Sequence, residues 1–221
     1  MDEKWVSRFV LASDPQTDVV LAPLPQTWWS RPYEYRWAQE FADAQATVLD
    51  AAAGVSHPFK FWLAAHCQTA HACDHDPRLL TADALRQGIA DDFGPEVADR
   101  LIRAYLPRLA LVLASIFDLP YAAKSFDRIF CLSVLEHLSE DGQHRTLAEF
   151  ERALADNGLI VVSLDYPTVD LAFFHHAVVA AGLAFAGPVD FSLPAESLAS
   201  PDGALRCFRA VLRRRGTESW R

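Results

Sequence analysis

The stretch from Thr47 to Asp76 restricts the fold more than any other part of the chain. Thr47-Val48-Leu49-Asp50 reads as a short buried strand, and the small residues Ala51-Ala52-Ala53-Gly54 that follow it read as a tight turn. A helical pattern covers 58–66, and a second strand ends in Cys73-Asp74-His75-Asp76-Pro77. The result is a strand–turn–helix–strand unit with an acid closing each strand. Small residues let a backbone approach a nucleoside-containing ligand, and an acid ending the second strand can take both ribose hydroxyls.

The remaining pattern extends this unit. Strands are expected at 46–50, 70–74, 110–114, 127–131 and 159–164, with Leu183–Phe191 and Leu205–Leu212 as a closing pair. Helical patterns fall at 58–66, 78–89, 95–106, 141–156 and 168–181, two of them between the second and third strands. Strands alternating with helices predict a doubly wound α/β sheet. Pro23-Leu24-Pro25 and the stretch Asp190–Pro201 read as loops.

Three further segments carry a family resemblance. Ser115-Ile116-Phe117-Asp118-Leu119-Pro120-Tyr121 precedes Ser125-Phe126-Asp127-Arg128-Ile129-Phe130-Cys131, and Leu132-Ser133-Val134-Leu135-Glu136-His137-Leu138 follows directly. Asn157-Gly158 then leads into the apolar strand Leu159–Leu164. In this order, over residues 45 to 167, they resemble the class I S-adenosylmethionine-dependent methyltransferases, in the small-molecule, methyltransferase type 11-like branch. The resemblance implies a Rossmann-like, seven-stranded sheet with helices on both faces and the last strand antiparallel. It also implies S-adenosyl-L-methionine as cofactor and methylation of a small-molecule oxygen or nitrogen. The chain then divides into an N-terminal aromatic lid or packing segment (1–44), the methyltransferase domain (45–215) and a tail (216–221).

Under the resemblance, Asp50, Ala51, Ala52 and Gly54 lie at the methionine end of the cofactor. Ala52, Gly54 and Ser56 stand where the family has three glycines; Ala52 costs little if its backbone angles are ordinary, and Gly54 can take a positive φ. Asp74 is the expected ribose ligand, 24 residues after Asp50, in preference to Asp76, because Asp76-Pro77 reads as a helix start. His75 is expected against the adenine face. Ser115 and the Ile116 backbone are expected at the adenine edge, with Ser115 in place of the family's acid. Leu132 and Ser133 are expected along the methionine portion.

Glu136-His137 is common in the family with a structural role or a place at the pocket edge, so His137 is a weak general-base candidate. His175, with its neighbour His176, is another, and Asp165 and Tyr166 at the end of the fifth strand are expected near the acceptor. A histidine on a surface helix is more often merely solvated. The segment Trp28–Trp37 is the densest aromatic patch of the chain. As a lid it would offer Tyr33 and Tyr35 to the acceptor; an extended segment would turn both inward, and a helix would separate them. Packing on the sheet is the plainer alternative.

The chain has 221 residues, 51% of them apolar, and a net charge of −9. That charge gives no footprint for nucleic acid or an anionic membrane, and the basic stretch Arg206–Arg215 reads as a solvated strand end. No apolar run approaches the ~20 residues of a membrane span. Cys67, Cys73, Cys131 and Cys207 have no framework spacing, which predicts free thiols and a cytoplasmic protein. The expected partner is a small molecule, with a homodimer possible. His66, Cys67, His71, Cys73 and His75 match no familiar zinc spacing, so no metal is expected.

Two other functions compete. Gly54-Val55-Ser56-His57-Pro58 approximates the nucleophile elbow of α/β-hydrolases with proline in place of the last glycine. A methyltransferase-like scaffold that has lost its cofactor is motivated by the alanine turn and Ser115.

Overall fold

The computed structural model describes residues 2–216; the remainder of the expected tail, 217–221, lies outside the described residues. In chain order the elements are β1 (Arg8–Phe9), β2 (Val19–Val20), β3 (Ala22–Pro23), α1 (Arg31–Ala38), β4 (Thr47–Ala51), α2 (Phe59–His66), β5 (Thr69–Asp74) and α3 (Ala82–Phe93). Then follow α4 (Pro95–Tyr105), β6 (Leu109–Leu113), β7 (Phe126–Leu132), α5 (Glu140–Ala153), β8 (Leu154–Tyr166), α6 (Leu171–Ala180), β9 (Leu183–Phe185) and β10 (Arg206–Arg214).

The sheet runs β1-β10-β8-β7-β4-β5-β6, with β9 also paired to β10. β4 through β8 are mutually parallel, and β10 lies antiparallel to β8. The seven expected strands are all present, and the last is antiparallel as expected. The sheet gains an eighth strand, β1, which shares the outer edge of β10 with β9. β9 is shorter than the expected 183–191, because the chain leaves β10 after Phe185 and crosses as loop to pair Val189 with Ser7.

Central strands buried on both faces read as apolar runs rather than alternating ones. Val48 and Ile160 are wholly buried, on opposite faces of the sheet. One core joins β4 and β5 to α1, α2, α3 and α4; the other joins β7 and β8 to α5 and α6. Helix starts follow capping chemistry: Thr81, Ser139 and Asp170 each accept a backbone N–H of the turn they begin. Gly94, at φ +84°, ends α3, and Pro95 opens α4. Gly88 of α3 lies so close to the turn after β4 that a Cβ would stand 2.4 Å from Val55 Cγ1. This contact presses the turn toward the carboxyl ends of the strands, where ligands of such sheets bind.

Candidate active site

The turn after β4 alternates handedness. Ala52 has φ +57° and Gly54 φ +61°. The expectation of ordinary angles at Ala52 is therefore corrected: a Cβ there meets its own carbonyl, at a cost on the order of 1 kcal/mol. Left-handed residues aim successive N–H groups in one direction. Gly54 N–H donates to Asp74 Oδ2 at 2.9 Å and Ala53 N–H to the Cys73 carbonyl at 3.0 Å. Asp74 Oδ1 accepts from Asp76 N–H at 3.0 Å. Asp76 is turned outward, capping the short helix 77–80 and paired with Arg78.

Two cavities meet at this turn. A cavity of about 500 Å³ is lined by Ala52, Asp74, His75, Ser115, Ile116, Phe117 and His137, among others. A smaller one, about 70 Å³, is lined by Asp50, Ala52, Ala53, Gly54, Leu132 and Val134 from below, and by Arg31 and Tyr35 from α1. Ala52 and Val134 line both. The structure thus brings Asp50, Ala52, Gly54, Asp74, His75, Ser115, Ile116 and Leu132 around two adjoining cavities. Ala51 is buried in β4, and His75 is exposed beside Asp74, its Nδ1 3.3 Å from Oδ1.

Ser133 holds another left-handed backbone, φ +49°. Its hydroxyl donates to Glu34 Oε1 at 2.5 Å, and Arg31 Nη1 bridges Glu34 Oε2 (2.9 Å) and the Leu132 carbonyl (3.0 Å). α1 is therefore latched onto the end of β7. Tyr35 Oη lies 2.6 Å from His57 Nδ1, and Trp28 stacks on the same imidazole at 4.4 Å. Burial, Arg31 and Lys60 hold the His57 pKa well below its ordinary value.

Because residues 31–38 are helical, the two tyrosines separate. Tyr35 faces the site, whereas Tyr33 donates outward to the Ala12 carbonyl at 3.3 Å. Tyr33 is thus placed away from the other site residues. Asp165 ends β8 with Oδ1 buried and unpartnered. Burial and Glu34 push its carboxyl up to about 6, against Arg31 and His137. Both carboxylate oxygens of Glu136 are buried without a hydrogen-bond partner. Burial pushes that carboxyl up to about 8, and Asp165 and Glu34 add to the effect. Tyr166 packs edge-on against Phe9. His175 packs against Phe185 and Phe191, and His176 against His144; neither histidine lines the two cavities. His71 is packed between Tyr121 and Phe126, and Cys73 is core. Among the described residues no group of three His, Cys, Asp or Glu side chains is arranged to hold a metal, and all four cysteines are free and buried.

Sequence reasoning missed Arg31, Glu34, His57 and Lys60. Arg31 and Glu34 sit at the helical i, i+3 spacing, which shows once the segment is recognised as helix. Lys60 was visible as the lone charge in the apolar run Pro58–Ala65.

A parallel sheet with an alternating-handed turn after its first parallel strand, an acid ending the next, and a lined cavity over both is the arrangement of a Rossmann-like fold that binds a nucleoside-containing cofactor. The sequence profile of the methyltransferase-domain family matches residues 49–162, just over half of the chain, and the chain belongs to that family. No curated protein matches it. Solved structures share the fold at low identity. A TehB-like S-adenosylmethionine-dependent methyltransferase from Corynebacterium glutamicum is 19% identical (82% of this chain, 87% of that one, TM-score 0.56). The 1,6-didemethyltoxoflavin-N1-methyltransferase of Burkholderia thailandensis, solved with 1,6-didemethyltoxoflavin and S-adenosylhomocysteine, is 16% identical (86% and 79%, 0.59). Geranyl diphosphate C-methyltransferase from Streptomyces coelicolor, solved with Mg2+, geranyl diphosphate and S-adenosylhomocysteine, is 11% identical (83% and 79%, 0.56). No helix among the described residues is long and apolar enough to cross a membrane.

Proposed function

We propose that the chain transfers a methyl group from S-adenosylmethionine to the oxygen or nitrogen of a small molecule. The adjacency of the two cavities, which share Ala52 and Val134 as walls, carries this reading: one suits an adenosine, the other begins at Asp50 and the turn. The residues fit the cofactor. A Cβ on Gly54 would stand 2.6 Å from the His57 ring, so the turn tolerates only glycine there. Asp74 accepts the ribose hydroxyls, with His75 flanking. Ser115 and the Ile116 backbone meet the adenine edge. Asp50 receives the ammonium group, the turn and Leu132-Ser133 line the methionine portion, and Arg31 pairs with its carboxylate.

The bound cofactor supplies a methyl group already activated on a sulfonium. The protein's task is alignment and exclusion of water. Tyr35 and α1 close over the methionine end. Asp165 and Tyr166, at the end of β8, are the expected acceptor-side residues, although neither lines the two cavities. His137 contributes to the rim of the larger cavity. Four buried thiols accord with a reducing compartment such as the cytoplasm. Among phenols, carboxylic acids and amines offered with S-adenosylmethionine, at least one is expected to release S-adenosylhomocysteine in proportion to methylated product.

The scaffold reading has one observation in its favour: Arg31 and Tyr35 leave only about 70 Å³ beside Asp50. A chain that binds neither S-adenosylmethionine nor its product would establish the scaffold and remove the enzyme reading.

A further inference from the structure

Lys60 is fully buried in the first turn of α2. A cation there opposes the helix dipole, and a buried ammonium is costly without partners. Its partners are backbone oxygens of one turn: Nζ donates to the His57 carbonyl at 2.6 Å, Gly54 at 2.9 Å and Ala53 at 3.4 Å. The alternating backbone sends the N–H groups of Ala53 and Gly54 toward β5 and leaves these carbonyls converging on the other side. Lys60 collects them. Asp50 is buried and lines the small cavity together with Ala53, Gly54 and His57, the residues whose carbonyls Lys60 gathers.

We propose that Lys60 is a positioning residue for the cofactor: its ammonium gathers the Ala53, Gly54 and His57 carbonyls and so fixes the turn that lines, with Asp50, the cavity for the ligand's ammonium end. The inference rests on the cofactor reading above. Burial drives the Asp50 carboxyl up to about 7, and Lys60 is the foremost influence pulling it down, ahead of Arg31 from α1; Asp74 from β5 acts the other way. The same pair, seen from Lys60, has its ammonium lowered to about 8 by burial and sustained by Asp50 and Asp74. Tyr35 from α1, Cys73 from β5 and Cys131 from β7 also face Asp50, and burial raises the pKa of each, keeping all three neutral. His57, held neutral, faces Lys60. The cations acting on Asp50 are Lys60 and Arg31; Arg31 also pairs with Glu34. In this arrangement the lysine compensates for a turn with one glycine where its relatives carry three: the turn is held from behind by a charge rather than left to backbone freedom.

The test is calorimetric titration of S-adenosylhomocysteine and of methylthioadenosine, which lacks the amino-acid end, against wild type, Lys60→Met and Lys60→Gln over a range of pH. Both variants are expected to bind S-adenosylhomocysteine about tenfold more weakly at neutral pH. The acid limb of its pH profile should move up by about one unit, while methylthioadenosine affinity changes less than about twofold. Lys60→Gln removes the charge and keeps part of the N–H donation, and its melting temperature shows whether the fold survives where that of Lys60→Met does not. Equal weakening of both ligands with no shift in the pH profile would overturn the proposal and leave a structural lysine. Wild type binding neither ligand would overturn the cofactor reading, and this inference with it.

Discussion

Asp74 and Asp76 stand two residues apart and face different ways. Asp74 is 7% exposed, accepts two backbone N–H groups and lines the large cavity, whereas Asp76 caps a short helix, pairs with Arg78 and lines a neighbouring cavity of about 390 Å³ that Asp74 shares. Asp74→Ala is expected to weaken S-adenosylhomocysteine binding by at least about tenfold, each lost bond to the carboxylate being worth roughly 1.5–3 kcal/mol at most. Asp76→Ala should leave affinity nearly unchanged; calorimetry showing the reverse order would move the ribose contact to Asp76. Glu136 gives a stability prediction. Its folded pKa, about 8, lies above the ordinary 4.5, so between those values the folded protein keeps a proton that the unfolded chain releases. Stability therefore falls as pH rises through that window and levels off above it. Glu136→Gln should flatten the fall and raise the melting temperature at pH 8 by roughly 2–6 °C. A slope identical to wild type would show that Glu136 does not hold that proton. Ala52 and Ser133, both non-glycine and left-handed, flank the same cavities; strain gathers at such sites when the surroundings enforce it.

Of the elements, α1 departs most from its sequence pattern. Tyr33, Tyr35 and Trp37 alternate as a strand would, but Pro32 sits in the first turn and the helix forms. Tertiary contacts decide the matter: Tyr35 stacks on Phe59 at 5.3 Å, Trp37 Nε1 donates to the Lys4 carbonyl, and Arg31 and Glu34 tie the helix to β7. α1 walls a cavity of only about 70 Å³ beside Asp50, and on the proposed reading α1 shifts as the methionine end enters. Hydrogen exchange is expected to show the amides of 31–38 opening in the free protein and slowing by at least about tenfold with S-adenosylhomocysteine. Equal protection in both states would make α1 a packing element. β1 was also invisible beforehand, since two residues carry no periodicity and its pairing with Arg209 and Phe208 arises only after β10 is placed.

Over the whole molecule, the order of strands and helices from Thr47 to Arg214 was legible, but some bounds were not: the helix expected at 78–89 is Ala82–Phe93, and 154–156, expected to end a helix, begin β8. The site was half legible. Residues belonging to the strand ends, such as Asp50, Asp74 and Leu132, follow from the strand pattern together with the family resemblance. Arg31, Glu34, His57 and Lys60 reach the site from helices and a turn whose approach is set by packing, and no local pattern announces that. The irregular pairing where β8 passes Asn157-Gly158, between Phe126 and Arg128, was hidden for the same reason. The account stands or falls on one ligand in one place. Isothermal titration of the wild-type chain with S-adenosylhomocysteine is expected to give saturable heat with one site per chain. The absence of heat, joined to an unchanged melting temperature at millimolar ligand, would contradict it.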